Sequence, residues 1–209
     1  MKIVEIKELA IPEVKVIKFK RFVDNRGYFT EQFRKSDLID SSDVGFLKGE
    51  SFVQANESFS HKNTFRGLHF QWNPHMGKLV RPLSGSLIDF ALDIRKGSPD
   101  LGKIIAYEIP NNKDDEYAEW IWVPPGFAHG ILLTEDSLIE YFCTGEYSPG
   151  CEAGISPMAK DIDWSICDKA LKERFDAIVP KTELITEKDK NGLGVTEWLE
   201  GKDSDEFIY

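Results

Sequence analysis

The feature that most constrains this chain is a series of short apolar runs separated by turn signals. The clearest runs are rich in Val, Ile, Leu and aromatic residues and lie at residues 79–83, 87–94, 103–109, 119–123 and 138–143. Turn clusters such as Ser84-Gly85 and Pro124-Pro125-Gly126 separate them. Short strands at this spacing predict an all-β sandwich or barrel, with the jelly roll as one candidate.

Helical signals are few, and the chain length suits one domain. Residues 35–40 predict a single helical turn, and residues 168–177 predict a short helix with one apolar face. A chain of 209 residues with 41% hydrophobic content can bury a sizeable core. We therefore expect one domain over residues 1–189, and a peripheral extension over the polar, glycine-containing residues 190–209.

Composition excludes several classes of protein. The chain has 26 Lys and Arg against 36 Asp and Glu, a net charge of −10, which argues against a nucleic-acid surface. No apolar run approaches the roughly 20 residues of a membrane span, and the first residues lack the pattern of a secretory signal. The three cysteines are odd in number and have no CxxC spacing, so neither a disulfide framework nor a zinc cluster is indicated. A cytoplasmic protein with no membrane partner is expected.

Two histidines lie in segments with a recognisable spacing. His129 ends the pattern P-x-G-x-x-H, which is the second cupin motif, and His69 begins an H-x-H position of the first. The second ligand of that first motif is replaced by Gln71, and its glutamate is replaced by Lys78, with six residues between Lys78 and Gly85. The spacing indicates a cupin. A cation repels a metal and an amide is a weak ligand, so these residue types indicate a metal-free cupin, and no cofactor is expected.

A series of ordered motifs carries a closer resemblance. The motifs are DNRGYF at 24–29, VQANES at 53–58, FRGLHFQ at 65–71, GKLVR at 77–81, DIRKGSP at 93–99, VPPGFAHG at 123–130 and YFCTGEYSP at 141–149. In order and spacing they resemble the dTDP-4-dehydrorhamnose 3,5-epimerase family, from about residue 18 to residue 189. The resemblance implies a cupin-type jelly roll (double-stranded β-helix) with a few short peripheral helices, a homodimer, and an enzyme that inverts carbons beside the ketone of a dTDP-4-keto-6-deoxyhexose.

The resemblance also implies four catalytic residues. Inversion beside a ketone needs a base, a group that stabilises the enolate oxygen, and an acid on the opposite face. His69 matches the family's base, and Asp189 matches the aspartate that orients it. Lys78 matches the lysine near the keto oxygen, and Tyr141 matches the acid. The alternative for each is an ordinary structural role, such as a core tyrosine with a satisfied hydroxyl.

Further positions match residues that bind the nucleotide sugar. Those expected to hold the phosphates or the base are Arg26, Gln54, Asn56 and Arg66, with Arg26 reaching across from the partner protomer. Other family ligand positions are occupied by Glu31, Lys78, His129, Glu152 and Lys188, although all but Lys78 could equally be rim residues. Asp89 lies within a predicted strand and is expected to support Lys78 or His129 from behind.

Departures from the family keep other functions open. Glu146-Tyr147 replaces an adjacent pair of tyrosines, residues 111–119 are unusually acidic, and the tail after Asp189 is unlike the family's. An epimerase acting at one carbon, or on a GDP- or CDP-linked sugar, is therefore an alternative. A metal-dependent cupin would need His69, His75 and His129 as ligands, and a third class is a non-catalytic sugar-binding cupin.

Overall fold

The predicted strands pair into antiparallel sheets in the computed structural model, which describes residues 1–209 except for the side chain of Pro110. The strands are β1 (Ile3–Glu8), β2 (Lys15–Lys20), β3 (Phe22–Asp24), β4 (Gly27–Phe29), β5 (Gln54–Ser60), β6 (Phe65–Gln71), β7 (Lys78–Ser84), β8 (Ser86–Asp93), β9 (Ile104–Pro110), β10 (Tyr117–Val123), β11 (Phe127–Leu133), β12 (Ser137–Cys143) and β13 (Glu152–Gly154). The helices are α1 (Lys35–Leu38), α2 (Lys169–Ile178), α3 (Glu187–Lys190) and α4 (Val195–Glu200), with 3₁₀ turns at Ser42–Leu47, Val179–Lys181 and Lys202–Glu206.

Two sheets make up the body of the fold. One has six strands in the order β1-β2-β10-β7-β12-β5, and the other has five in the order β13-β6-β11-β8-β9. A buried cluster that includes Val80 and Ile139 of the first sheet and Ala91 and Leu133 of the second lies between them. The predicted all-β jelly roll with a few short helices is confirmed, and β3 and β4 form a separate hairpin.

Strand alternation decides which side chains enter the space between the sheets. In β8, Leu87 and Ala91 belong to the cluster between the sheets, whereas Ile88 and Phe90 pack on the outer side with the C-terminal helices. Successive side chains of a strand point to opposite faces, so Asp89 shares the inner face with Leu87 and Ala91. The same period of two places polar residues of several strands on inner positions at one end of the fold.

The C-terminal segment, residues 190–209, is firmly packed against the outer face of the five-stranded sheet. Trp198 is 3% exposed and Phe207 is 4% exposed, and both belong to the cluster built on Phe70. The Trp198 ring centroid lies 4.6 Å from that of Phe70, and its indole N–H donates to the Ile94 carbonyl at 3.3 Å. The segment therefore covers apolar surface that the sheet would otherwise expose.

No helix within residues 1–209 is long and apolar enough to cross a membrane.

We expect Trp198→Ala to lower the free energy of unfolding by about 3–5 kcal/mol, the usual cost of emptying a buried tryptophan site. Urea unfolding followed by circular dichroism measures the change. Ile208→Ala is the matched control, because Ile208 lies in the same segment and is 71% exposed. A loss no larger for Trp198→Ala than for the control would show that the segment contributes little to stability.

Candidate active site

A cavity of about 540 Å³ opens between the two sheets. It is lined by strand residues of both sheets, two loop residues and three residues from around α3: Gln54, Asn56, Ser58, Arg66, His69, Phe70, Gln71, Met76, Lys78, Val80, His129, Ile131, Ile139, Tyr141, Cys143, Tyr147, Glu152, Thr186, Lys188 and Asp189. Ten of the residues that the sequence predicts for the site are in this set. They converge from both sheets and from α3, which makes the cavity the candidate active site.

His69 and Asp189 form a histidine–carboxylate pair in the cavity. Its Nε2 lies 2.8 Å from Oδ1 of Asp189, whose side chain is 5% exposed. Thr186 caps α3 by accepting the Asp189 backbone N–H at 3.1 Å, which fixes the aspartate at the helix start. Burial would raise the pKa of Asp189, but the hydrogen bonds from His69 and from the Gly67 N–H outweigh it and hold that pKa below its usual range. The carboxylate therefore stays ionised and orients the imidazole through Nε2.

The backbone around His69 requires a close approach of two strands. Gly67 has φ of +127°, and a Cβ at this position would overlap the Cα of Gly130 on β11. The pairing of β6 with β11 shifts register between His129 and Ile131, opposite this glycine. A larger residue at 67 would push the strands apart and displace His69, which is paired directly with His129 across the ladder.

Lys78 faces the cavity from the first position of β7. Its ammonium donates to the backbone carbonyl of His69 at 3.4 Å. Burial lowers the pKa of Lys78, and the nearby Cys143, Asp89 and Glu152 oppose that effect. A cation held in a poorly hydrated place interacts strongly with any negative charge that develops beside it.

Asp89 and His129 form a second histidine–carboxylate pair beside Lys78. His129 Nε2 lies 2.7 Å from Asp89 Oδ2, and Asp89 is 1% exposed. Among the described residues, its other oxygen, Oδ1, has no hydrogen-bond partner. Burial raises the pKa of Asp89, although His129 and Lys78 act in the opposite direction. The aspartate thus lies behind His129.

Tyr141 enters the cavity from the six-stranded sheet, whereas His69 enters from the five-stranded sheet. Its strand pairs with β5 so that Tyr141 is opposite Asn56. Burial raises the pKa of the Tyr141 hydroxyl, while Arg66 and the Asn56 side chain partly offset the rise. A tyrosine in this setting keeps its proton at neutral pH and is able to donate it.

Polar residues form the rim of the cavity. Lys188 donates to Glu152 Oε1 at 2.9 Å, and the Tyr147 hydroxyl donates to the same oxygen at 3.1 Å. Gln54 accepts the Tyr147 backbone N–H at 2.8 Å. Arg66 is exposed, with its Nε donating to Ser60 at 2.8 Å. These side chains are placed to contact the outer part of a bound molecule.

Two predicted binding residues lie outside the cavity of their own chain. Arg26 is at the tip of the β3–β4 hairpin, with its side chain 83% exposed and paired with Asp24 at 2.6 Å. Glu31 instead accepts from the Met1 ammonium at 2.7 Å and pairs with Arg34. Within one chain, therefore, neither residue reaches the site, and Arg26 could do so only from a partner protomer.

The histidines required by a metal-dependent cupin do not converge. His75 lies outside the cavity, with its ring 5.1 Å from that of Phe207 and its Nε2 3.8 Å from Glu206. Asp89 and Asp189 each already engage one of the other two histidines. Within the described part of the chain, no group of three or more His, Cys, Asp or Glu side chains is arranged to hold a metal ion.

Several lining residues were missed by the sequence analysis. Cys143 is two positions from Tyr141, and Val80 is two positions from Lys78, so strand alternation alone was a signal that could have found them. Met76 and Tyr147 come from loops, where no such period applies, although Tyr147 follows Glu146, which was noted as a departure from the family pattern. Apolar residues at these places give the cavity walls against which a sugar or base can pack.

Known proteins match this chain over most of its length. A family model described as dTDP-4-dehydrorhamnose 3,5-epimerase matches residues 8–197. A relative of that name from Sinorhizobium fredii is 44% identical over 151 residues, covering 70% of this chain and 72% of the relative. Another from Salmonella typhimurium is 37% identical over 184 residues, covering 85% of this chain and 96% of the relative.

A solved structure is similar in fold over nearly the whole chain. It is dTDP-6-deoxy-D-glucose-3,5-epimerase from Legionella pneumophila, in complex with dTDP-4-keto-L-rhamnose. The TM-score is 0.76 at 28% identity, and the match covers 98% of this chain and 97% of the other.

We expect Lys78→Met to stabilise the protein at neutral pH by about 1 kcal/mol or more, because an apolar residue of similar length replaces a poorly solvated charge. Because burial lowers the pKa of Lys78 in the folded state, the free-energy cost of burying its charge is largest at pH values below that pKa. The cost disappears as the pH rises through the folded pKa toward the unfolded value of about 10.4. Urea unfolding of both proteins from pH 7 to pH 10 should therefore show a difference in the free energy of unfolding that becomes smaller as the pH rises. A variant less stable than wild type at pH 7 would contradict this expectation.

Proposed function

Because the chain belongs to the dTDP-4-dehydrorhamnose 3,5-epimerase family and is an isomerase of that kind, we propose that it inverts C3, C5 or both of a dTDP-4-keto-6-deoxyhexose. The observation that carries the proposal is the placement of His69 and Tyr141 on opposite sheets of one cavity, with Lys78 beside them. The ligand in the Legionella structure supports the choice of sugar nucleotide.

His69 acts as the base in the proposed mechanism. Its Nδ1 removes the proton from the carbon beside the ketone, and the electron pair moves into an enolate. Asp189, held ionised 2.8 Å from Nε2, stabilises the imidazolium that forms and keeps the ring oriented. Histidine is suited to the step because it accepts and releases a proton near neutral pH.

Lys78 stabilises the enolate oxygen. The charge that develops on that oxygen is absent from the ketone, so a fixed cation nearby favours the transition state over the ground state. The backbone carbonyl of His69 holds the ammonium in place at 3.4 Å. Poor hydration of the ammonium increases the strength of the interaction.

Tyr141 returns a proton from the opposite side. A base on one sheet and an acid on the facing sheet approach a sugar ring from its two faces, so reprotonation by Tyr141 inverts the carbon. Its raised pKa means that the hydroxyl is protonated and available at neutral pH. The phenolate left behind is neutralised from solvent or from the imidazolium before the next turnover.

The outer part of the cavity is proposed to hold the nucleotide diphosphate. Arg66, Gln54 and Asn56 offer a guanidinium and two amides, the donors that phosphate oxygens and base edges accept from. Glu152 and Lys188 lie at the rim near Tyr147. His129, supported by Asp89, completes the wall beside Lys78.

A homodimer is part of the proposal. The β3–β4 hairpin exposes Phe22, Val23 and Phe29, which are 45%, 53% and 65% exposed. Such apolar side chains favour burial against another chain, and Arg26 at the hairpin tip could then enter the cavity of a second copy. A cytoplasmic location is likewise proposed, and the three free cysteines suit a reducing compartment.

The direct test is incubation of the enzyme with dTDP-4-keto-6-deoxyglucose in heavy water, with deuterium located by proton NMR. We expect deuterium at C3, C5 or both, and an inverted product. In His69→Asn, exchange at every such carbon should fall by at least about a thousandfold, toward the upper end of the range for a lost general base. Far-ultraviolet circular dichroism confirms that the variant is folded. Unchanged exchange in a folded variant would assign His69 a structural role, and no exchange by wild type would refute the function.

We expect Tyr141→Phe to separate the two proton transfers. Removal of the hydroxyl leaves the ring in place, so deprotonation by His69 should continue while delivery from the opposite face is impaired. Deuterium incorporation should then exceed net epimerisation by about tenfold or more, since general acid catalysis contributes about 10²–10⁴-fold. Both rates are followed in the same sample. Equal decreases in the two rates, or no decrease in either, would remove Tyr141 as the acid and make Tyr147 the next candidate.

A further inference from the structure

Gln71 stands at the end of β6, where a metal-binding cupin would carry a second histidine. We propose that Gln71 is a positioning residue that fastens together the two loops at the mouth of the cavity and so sets the affinity for the substrate. The proposal rests on the proposed function, because the substrate used to test it is the dTDP-linked sugar.

The side-chain amide of Gln71 is fully engaged with backbone. Its Nε2 donates to the Pro74 carbonyl at 3.0 Å and to the Glu146 carbonyl at 2.9 Å, and its Oε1 accepts the Ser148 N–H at 2.8 Å. Gln71 is 3% exposed. An amide has two N–H donors, and both are directed at backbone carbonyls. It therefore has no free donor for a ligand, although it borders the cavity.

Each loop that Gln71 holds contributes one side chain to the cavity. The loop between β6 and β7, residues 72–77, carries Met76, and the loop after β12, residues 144–151, carries Tyr147. The loops also meet directly, because the Gly77 N–H donates to the Thr144 hydroxyl at 2.8 Å. Tyr147 is 56% exposed, so its position depends on its backbone anchors more than on packing.

Because these loops border the mouth of the cavity, we expect loss of the Gln71 contacts to weaken substrate binding more than it slows the chemical steps. His69 and Asp189 are anchored by β6 and α3, and Lys78 and Tyr141 by β7 and β12, so the reacting groups do not depend on the two loops. Tyr147, Glu152 and Lys188 form the rim, which contacts the part of the substrate remote from the reacting carbons. Loss of an interaction that is equally strong in the ground state and the transition state raises KM and leaves kcat unchanged.

The principal experiment compares Gln71→Met with wild type in steady-state kinetics with dTDP-4-keto-6-deoxyglucose. Methionine has a similar length but makes none of the three hydrogen bonds. We expect KM to rise about tenfold while kcat changes by less than about threefold, since each lost hydrogen bond costs about a factor of two to ten. Ser137→Ala is the matched control: Ser137 is 0% exposed and also bonds backbone carbonyls, but it does not line the cavity.

Two further variants separate a positioning role from a general loss of stability. The side chain introduced by Gln71→Glu can donate one hydrogen bond when it is protonated and none when it is ionised. The ratio of the variant's KM to the wild-type KM should therefore approach one as the pH is lowered from 8 to 6. Burial assists by raising the pKa of the introduced carboxyl. In a Tyr147→Ala background, Gln71→Met should raise KM by less than about threefold, because the residue through which it acts has been removed.

The outcomes distinguish the inference from the function on which it rests. A KM increase for Gln71→Met that is absent from Ser137→Ala, is relieved at low pH in Gln71→Glu and is reduced by Tyr147→Ala supports the inference. An unchanged KM, or equal KM effects with and without Tyr147, overturns it. If Gln71→Met does not fold, the pH dependence of Gln71→Glu decides. Absence of turnover by wild type would instead refute the proposed function.

Discussion

The strict alternation of side chains along facing strands is the constraint on which the rest of this structure depends. The inward rows combine apolar residues such as Ala91, Ile121 and Leu133, which fill the space between the sheets, with polar residues that line a cavity. Because the two sheets face each other, a base on β6 and an acid on β12 approach a ligand from opposite sides. The stereochemistry of the proposed inversion thus follows from sheet packing, and no moving part is needed to bring the two groups to opposite faces of a sugar.

The charges of the cavity oppose the stability of the fold. Burial shifts the pKa of Lys78 downward and that of Asp89 upward, which means that each charged form is less favourable here than in water. Asp189 differs, because hydrogen bonds from His69 and Gly67 more than offset its burial. A poorly hydrated lysine and a well-supported carboxylate within one cavity are what a reaction through an anionic intermediate requires, and the surrounding β-sandwich supplies the free energy to hold them.

Sequence patterns predicted the architecture, and the family resemblance supplied half of the residues that line the cavity. Period-two runs between turns specify strands, so the segments predicted around Lys78, Asp89 and Tyr141 correspond to β7, β8 and β12. Loop contributions such as Met76 have no period and were not found. The burial of Trp198 was also missed, because one tryptophan among polar residues and glycines does not reveal that a sheet face needs covering. Arg26 and Glu31 both matched family positions, but the resemblance assigned only Arg26 to a partner protomer. Nothing in the sequence indicated that the Met1 ammonium would engage Glu31.

The burial of Trp198 and Phe207 against Phe70 affects the order in which the molecule can form during synthesis. The strands of both sheets end at Gly154, so they are synthesised before α4, and the outer face of the five-stranded sheet around Phe70 stays uncovered until residues 195–207 have been made. A nascent sheet with exposed aromatic side chains is prone to association with its neighbours. Residues 195–207 therefore close over a sheet whose strands have all been made, and a nascent chain that lacks them exposes the surface around Phe70.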